Sequence, residues 1–258
     1  MSYILSYLLS VRWKRMLLTP SDKQELQNIS TTQVIIAALN EEEGIGLTIT
    51  EMMDTLDNPQ VIVIDGKSTD RTCEIAKNLG VTVVCQDGTG KGDALAKALE
   101  KIEPQTEYIV ITDADFTYPA KSVPKMIQIL QRNPEVGMVC GNRFNGKVDS
   151  KALRPVFALG NRLIAFVHNI LNGIQLQDPL TGLRVVRANI LREWQVKSKG
   201  FDIEVELNQQ VDRSGYTIVE IPIQYRQRLG EKKLGLKHSA EIFKRMILSQ
   251  LSNENSSF

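Results

Sequence analysis

Histidine and cysteine are scarce in this chain, at two and three residues in 258. His168 and His238 are too few for a His-rich zinc centre. Cys73, Cys85 and Cys140 are odd in number, lack C-x-x-C spacing and lie within or beside apolar runs. That pattern fits reduced thiols in a cytosolic compartment and excludes a disulfide scaffold. A charge excess is missing too: 31 basic residues stand against 30 acidic ones, a net charge of +1, so no global field draws the chain to nucleic acid. No uninterrupted apolar stretch reaches the roughly 18 residues that a membrane-spanning helix needs. Residues 3–11 come nearest, but Arg12, Lys14 and Arg15 follow the apolar part where a signal peptide would have its charges first. This segment is expected either to lie on a membrane surface as a short amphipathic anchor or to pack on the protein itself. The rest is ordinary for a globular protein, with 42% hydrophobic and 24% charged residues, enough to build a full core.

From residue 33 onward, apolar runs of strand length alternate with helical patterns. The runs are 34–39, 61–64, 81–85, 108–111 and 136–140. Glu41–Glu43 open one helical segment and Thr69 and Asp70 another, while residues 91–99 and 123–130 supply two more. Strands rich in Val and Ile, each feeding a helix, predict a mostly parallel α/β sheet flanked by helices on both faces. After residue 150 the alternation stops. A long apolar helical stretch at 153–171 comes next, then a turn at 178–182, a strand at 183–186, a helix around 201–211 and a strand at 217–223. Residues 1–30 are expected to form the N-terminal segment, 31–250 a single domain and 251–258 a disordered tail.

Ligands of such sheets bind beyond the carboxyl ends of the strands, which makes the residues just after each run the ones to question. Asn40, Glu41, Asp65, Asp87, Asp113, Asp115, Asn142 and Arg143 all fall there. Helix capping accounts for some of them. It does not account for Asp113 and Asp115 both following one buried strand. Their hard oxygens suit Mg2+ or Mn2+, ions that also bridge substrate phosphates. Gly88-Thr89-Gly90-Lys91-Gly92 matches neither the dinucleotide fingerprint nor the P-loop and reads as a turn, although Lys91 can reach a donor sugar or its phosphates.

Asn40-Glu41-Glu42, Asp65-Gly66-Lys67-Ser68-Thr69-Asp70-Arg71-Thr72 and Asp113-Ala114-Asp115, in that order, resemble the GT-A glycosyltransferases of family 2. Asp178-Pro179-Leu180-Thr181-Gly182-Leu183-Arg184, Gly200-Phe201-Asp202-Ile203-Glu204 and the segment from Tyr225 to Leu234 narrow the resemblance. They look like the dolichyl-phosphate hexose synthases, over roughly residues 33–240. The resemblance implies a GT-A nucleotide-sugar-binding fold and inverting transfer of a hexose from a UDP- or GDP-sugar to a dolichyl or polyprenyl phosphate. It places Asn40 and Glu41 near the nucleotide, Asp65 on the base side, and Asp113 and Asp115 on the metal and diphosphate. Thr117 stands where mannose-transferring relatives often carry Gln, and the string 116–119 is closer to relatives that use UDP-sugars.

For the acceptor phosphate, Arg143 and Arg154 are the family-matched candidates, with Arg228 and Lys233 closing from the C-terminal segment. Arginine supplies a planar fork for phosphate oxygens. Asp115, Asp178 and Arg228 are the residues expected to act in catalysis, Asp178 either orienting the acceptor or simply forming the turn. The resemblance further implies a peripheral protein on the cytoplasmic face of the membrane, alone or with a membrane-protein partner. Two alternatives stay open: a transferase acting on a sugar hydroxyl, with Asp178 as base, and a nucleotide-sugar-binding subunit without turnover.

Overall fold

The computed structural model describes residues 32–145, 165, 169, 173–200 and 202–230. The expected N-terminal segment, the apolar stretch 153–171 apart from Ala165 and Asn169, Arg154, Lys233 and the tail lie outside the described residues. Seven strands form one sheet: β1 (Thr32–Ala38), β2 (Gln60–Asp65), β3 (Thr82–Cys85), β4 (Tyr108–Asp113), β5 (Val136–Asn142), β6 (Arg184–Arg187) and β7 (Thr217–Pro222). Their order is β3-β2-β1-β4-β6-β5-β7. All ladders are parallel except those of β6, which runs antiparallel to both β4 and β5. The mostly parallel, helix-flanked sheet expected from the alternation is therefore present, with one short strand inserted against the grain.

The helices are α1 (Ile45–Thr55), α2 (Thr72–Asn78), α3 (Lys91–Leu99), α4 (Val123–Arg132), α5 (Ala188–Arg192) and α6 (Ile203–Arg213). Side chains of a strand alternate between faces, and β1 divides its apolar residues accordingly. Val34, Ile36 and Ala38 pack with Ile45, Ile49 and Met52 of α1 and Met126, Ile127 and Leu130 of α4. Ile35 points the other way, into a second core with Leu95 of α3 and Ile203, Leu207 and Val211 of α6. Two buried faces explain why the strands read as continuous apolar runs.

Two helix starts fall later than the sequence suggested. Residues 41–44 form a turn in which the Glu41 carbonyl accepts from Gly44 and Ile45, so α1 begins at Ile45. Asp70 accepts from the Thr72 amide and hydroxyl at 3.0 and 2.5 Å, so α2 begins at Thr72. In both cases the acidic residues stay outside the helix, Glu42 accepting from Arg71 Nε at 3.1 Å and Asp70 from the Glu42 amide at 3.1 Å. The carboxyl ends of β1, β2, β4 and β5 share one edge, and β6 starts at that same edge straight after the 178–182 turn. The fold thereby gathers loops from five parts of the sequence.

Candidate active site

Asp113 ends β4, and its Oδ1 accepts from Lys91 Nζ at 2.6 Å; the same ammonium donates to Glu204 Oε1 at 2.7 Å. Lys91 opens α3 behind Gly90, whose φ is +89°. The glycines of this loop serve a close approach: a Cβ at Gly92 would stand 2.0 Å from the Ser198 carbonyl, and the Gly92 amide donates to Lys199 O at 3.1 Å. The segment 198–200 is thus clamped to the start of α3, which brings Lys91 and Glu204 together across 113 residues of sequence. Burial opposes the charge on Lys91, but the two carboxylates prevail and hold it protonated well above the ordinary lysine range. For Asp113 burial acts upward, while Lys91, Arg143 and Arg228 together draw its carboxyl below the usual range.

Asp115 is 5% exposed. Its Oδ1 accepts from the Thr117 amide and hydroxyl at 3.2 and 2.6 Å, and its Oδ2 from Arg228 Nη1 at 2.9 Å. Burial, and then the neighbouring Asp113 charge, push its pKa up to about 6 against these donors. Arg228 Nη2 donates to Glu41, so one guanidinium spans carboxylates from the loops after β1 and β4. The segment that delivers Arg228 is fastened along its length. Arg226 N donates to Thr117 O at 3.0 Å and Leu229 N to Asp115 O at 3.2 Å. The Arg226 fork takes both oxygens of Glu51 on α1 at 2.7 Å, with its guanidinium carbon 4.2 Å from the Phe116 ring centre. Phe116 itself has a φ of +64°, a strained backbone that these contacts hold in place.

The other expected residues take different positions. Asp65 accepts from Lys67 N at 3.0 Å and Ser68 N at 3.1 Å, and Asn40 Oδ1 accepts from Thr69 N at 2.7 Å. Both hold the loop 66–72 against the end of β1. Arg143 and Asp178 meet each other: the Arg143 amide and Nε donate to Asp178 Oδ2 at 3.0 and 2.7 Å, and Nη2 to Oδ1 at 2.6 Å. Asp178 is 1% exposed, with both oxygens committed to this pair. Arg143 also lies 5.5 Å from the Tyr225 ring centre, and Tyr225 stacks edge-on with Tyr118 at 5.3 Å. The Tyr118 hydroxyl accepts from Gly182 N at 2.8 Å, which ties the 178–182 turn to the Asp113–Asp115 loop.

Sequence reasoning gave no role to Glu204, Tyr118, Tyr225 or the Arg226–Glu51 pair. Glu204, Tyr118, Tyr225 and Arg226 carried a signal, since each lies in one of the family-like strings, whereas Glu51 is an ordinary residue until the chain folds. Arg184 likewise ends a family-like string and was given no role. It is fully buried and donates to Thr181 O at 2.9 Å, Pro179 O at 2.6 Å and Asn208 Oδ1 at 2.5 Å, fixing the turn that carries Asp178.

Glycosyl transferase family 2 matches residues 33–194 of this chain. The chain belongs to that family. A dolichyl-phosphate hexose transferase of Haloferax volcanii is 32% identical over 204 residues, covering 78% of this chain and 85% of that protein. A low-salt glycan biosynthesis hexosyltransferase, Agl6, of the same organism is 31% identical over 208 residues. This chain spans 79% of its own length in that match but only 50% of the relative's. Among solved structures, glucosyl-3-phosphoglycerate synthase from Mycobacterium tuberculosis, in complex with Mn2+, UDP-glucose and phosphoglyceric acid, superposes with a TM-score of 0.69. It is 23% identical, with 91% of this chain and 83% of that one covered, and the likeness establishes a common GT-A fold. Among the described residues no helix is long and apolar enough to cross a membrane.

Proposed function

We propose that this family 2 glycosyltransferase moves a hexose from a nucleoside-diphosphate sugar to the phosphate of a polyprenyl or dolichyl lipid, with inversion. The observation that carries the reading is the cluster of Lys91, Asp113, Asp115, Glu41 and Arg228 at the carboxyl edge of the sheet, where carboxylates and cations alternate within hydrogen-bond distance. The name of the Haloferax dolichyl-phosphate hexose transferase supports the acceptor class.

Asp113 and Asp115 fit a divalent ion, Mg2+ or Mn2+. They offer hard oxygens, and Gly182 leaves the space beside Asp113 clear, since a Cβ there would stand 2.3 Å from Oδ2. Among the described residues no third carboxylate, histidine or cysteine completes a three-ligand group. That suits an ion finished by water and substrate phosphates. When bound, the ion supplies positive charge that stabilises the leaving diphosphate. The chain's own residues do the rest. Lys91 keeps Asp113 ionised and stays charged beside the donor phosphates. Arg228 brings a second cation to the same edge. A phosphate acceptor is already anionic near neutral pH, so no strong base is required, and positioning and electrostatics provide most of the rate.

The commitment of both Asp178 oxygens to Arg143 argues against Asp178 as a base toward a sugar hydroxyl. In this reading the pair braces the acceptor side, Arg143 keeping Nη1 for phosphate, with Arg154 and Lys233 as further acceptor contacts. Asn40, Glu41 and Asp65 shape the nucleotide side through the loop 66–72. Residues 1–30 and the cations Lys232, Lys237, Lys244 and Arg245 near the C-terminal end attach the protein peripherally to the cytoplasmic membrane face. Incubating the purified protein with UDP- or GDP-hexoses, Mn2+ and polyprenyl phosphate should yield a sugar-bearing lipid detectable by mass spectrometry. Transfer to sugar hydroxyls alone, or donor binding without transfer to any acceptor, would refute the reading.

A further inference from the structure

Arg228 is the one guanidinium of the cluster that touches two carboxylates from different loops, Asp115 through Nη1 and Glu41 through Nη2. Its third donor group is unsatisfied: Nε is buried and has no hydrogen-bond partner. A guanidinium carries five N–H donors, and a buried one left open is costly unless another acceptor arrives to take it. The backbone around it is pinned independently of this side chain, by the Arg226 and Leu229 amides on the 115–117 loop and by the Arg226 fork on Glu51. The side chain of Arg228 can therefore change partners while the segment that bears it stays in place.

We propose that Arg228 is the resident counter-cation of the Glu41–Asp115 carboxylates, and that the ligand of this site is a divalent ion together with a diphosphate, entering by charge exchange. The ion takes over Asp115, and the guanidinium so released turns its donors, Nε included, to the anionic diphosphate. The ion alone has to displace a charge-paired arginine and gives that arginine nothing in return. The diphosphate alone meets a guanidinium already committed to two carboxylates. Each ligand removes the obstacle to the other, so their binding is coupled in both directions by the same factor. This inference rests on the proposed use of a nucleoside-diphosphate donor and a divalent ion at Asp113 and Asp115.

The test is a titration of Mn2+ followed by the electron paramagnetic resonance of free ion, with and without UDP or GDP, needing neither acceptor nor turnover. In the wild type Mn2+ alone should bind weakly, and nucleoside diphosphate should tighten it by about tenfold or more, the usual scale of such coupling. Arg228→Gln leaves Glu41 and Asp115 without their cation, so Mn2+ alone should bind about tenfold tighter than to the wild type, with the coupling largely lost. Arg228→Lys, which keeps the charge, should stay close to the wild type. Unchanged or weaker Mn2+ binding in Arg228→Gln overturns the proposal, as does a lysine variant that behaves like the glutamine one. Thermal melts of both variants verify that they are folded. A protein that shows this exchange and yet transfers no hexose to polyprenyl phosphate refutes the functional reading alone; one that transfers while Arg228→Gln gains nothing refutes the exchange alone.

Discussion

Replacing Asp115 by Asn should change how the stability of this protein depends on pH. The carboxyl has a pKa of about 6 in the fold, raised from 3.8 by burial and then by Asp113, with Thr117 and Arg228 pulling the other way. A raised pKa means that the folded state holds the proton more tightly than the unfolded chain does. The stability this confers is fully present below pH 3.8 and is lost as pH rises through about 6. A shift of this size corresponds to about 3 kcal/mol, at roughly 1.4 kcal/mol per unit. Asn cannot ionise, keeps a carbonyl oxygen for the Thr117 amide and hydroxyl, and removes the charge that burial disfavours. For a chain of this length about 3 kcal/mol is worth roughly 6–12 °C in Tm. The Tm of the wild type relative to Asp115→Asn should therefore fall by most of that amount between pH 4 and pH 7.5. Differential scanning fluorimetry in EDTA measures it; chelation matters because a bound cation would keep the carboxylate ionised and mask the effect. All other titrating groups are common to the two proteins, apart from Asp113, whose own ionisation becomes easier once its neighbour is neutral. Parallel Tm curves across that range would refute the reasoning.

Asp113→Asn should abolish hexose transfer with little loss of stability, and EDTA should do the same to the wild type; undiminished turnover in a radiolabel transfer assay would remove the diphosphate contact from the account. Asp178→Asn breaks the buried pair with Arg143 and should cost about 3–5 kcal/mol in urea denaturation, since it leaves an uncompensated guanidinium inside; a cost near zero would mean that the pair is solvated. Gly92→Ala drives a Cβ to 2.0 Å from Ser198 O, so it should part the 198–200 segment from α3 and separate Lys91 from Glu204. A lowered Tm together with weakened nucleotide-sugar binding in calorimetry is expected, and unaltered donor affinity counts against Lys91 as a donor contact. The N-terminal segment and the basic residues Lys232, Lys237, Lys244 and Arg245 should give flotation with anionic liposomes at low salt and release at high salt, at roughly 1 kcal/mol per basic residue near the surface; protein that stays at the bottom at low salt contradicts a lipid acceptor at the membrane.

Local pattern alone determined much of this protein. Apolar runs rich in Val and Ile placed all seven strands to within about two residues, and α3 at Lys91–Leu99 without error. The periodicities of strand and helix are properties of adjacent residues and need no partner to be read. The position of Asp113 and Asp115 at the end of a buried strand was legible for the same reason. Partner choice was not. The short run at Arg184–Arg187 enters the middle of the sheet antiparallel between β4 and β5, where both its edges are hydrogen-bonded and its first three residues are buried. α5, at five residues, has too little periodicity to be seen beforehand. Above all, tertiary structure decided which opposite charges meet. Arg228 reaches Glu41 across 187 residues and Arg226 reaches Glu51 across 175, while Asp178 is committed to Arg143 across 35. Coulomb attraction falls off with distance in space and carries no trace in sequence spacing, so a carboxylate that reads as a free base and an arginine that reads as a free phosphate ligand can prove to be each other's partners once the chain has folded.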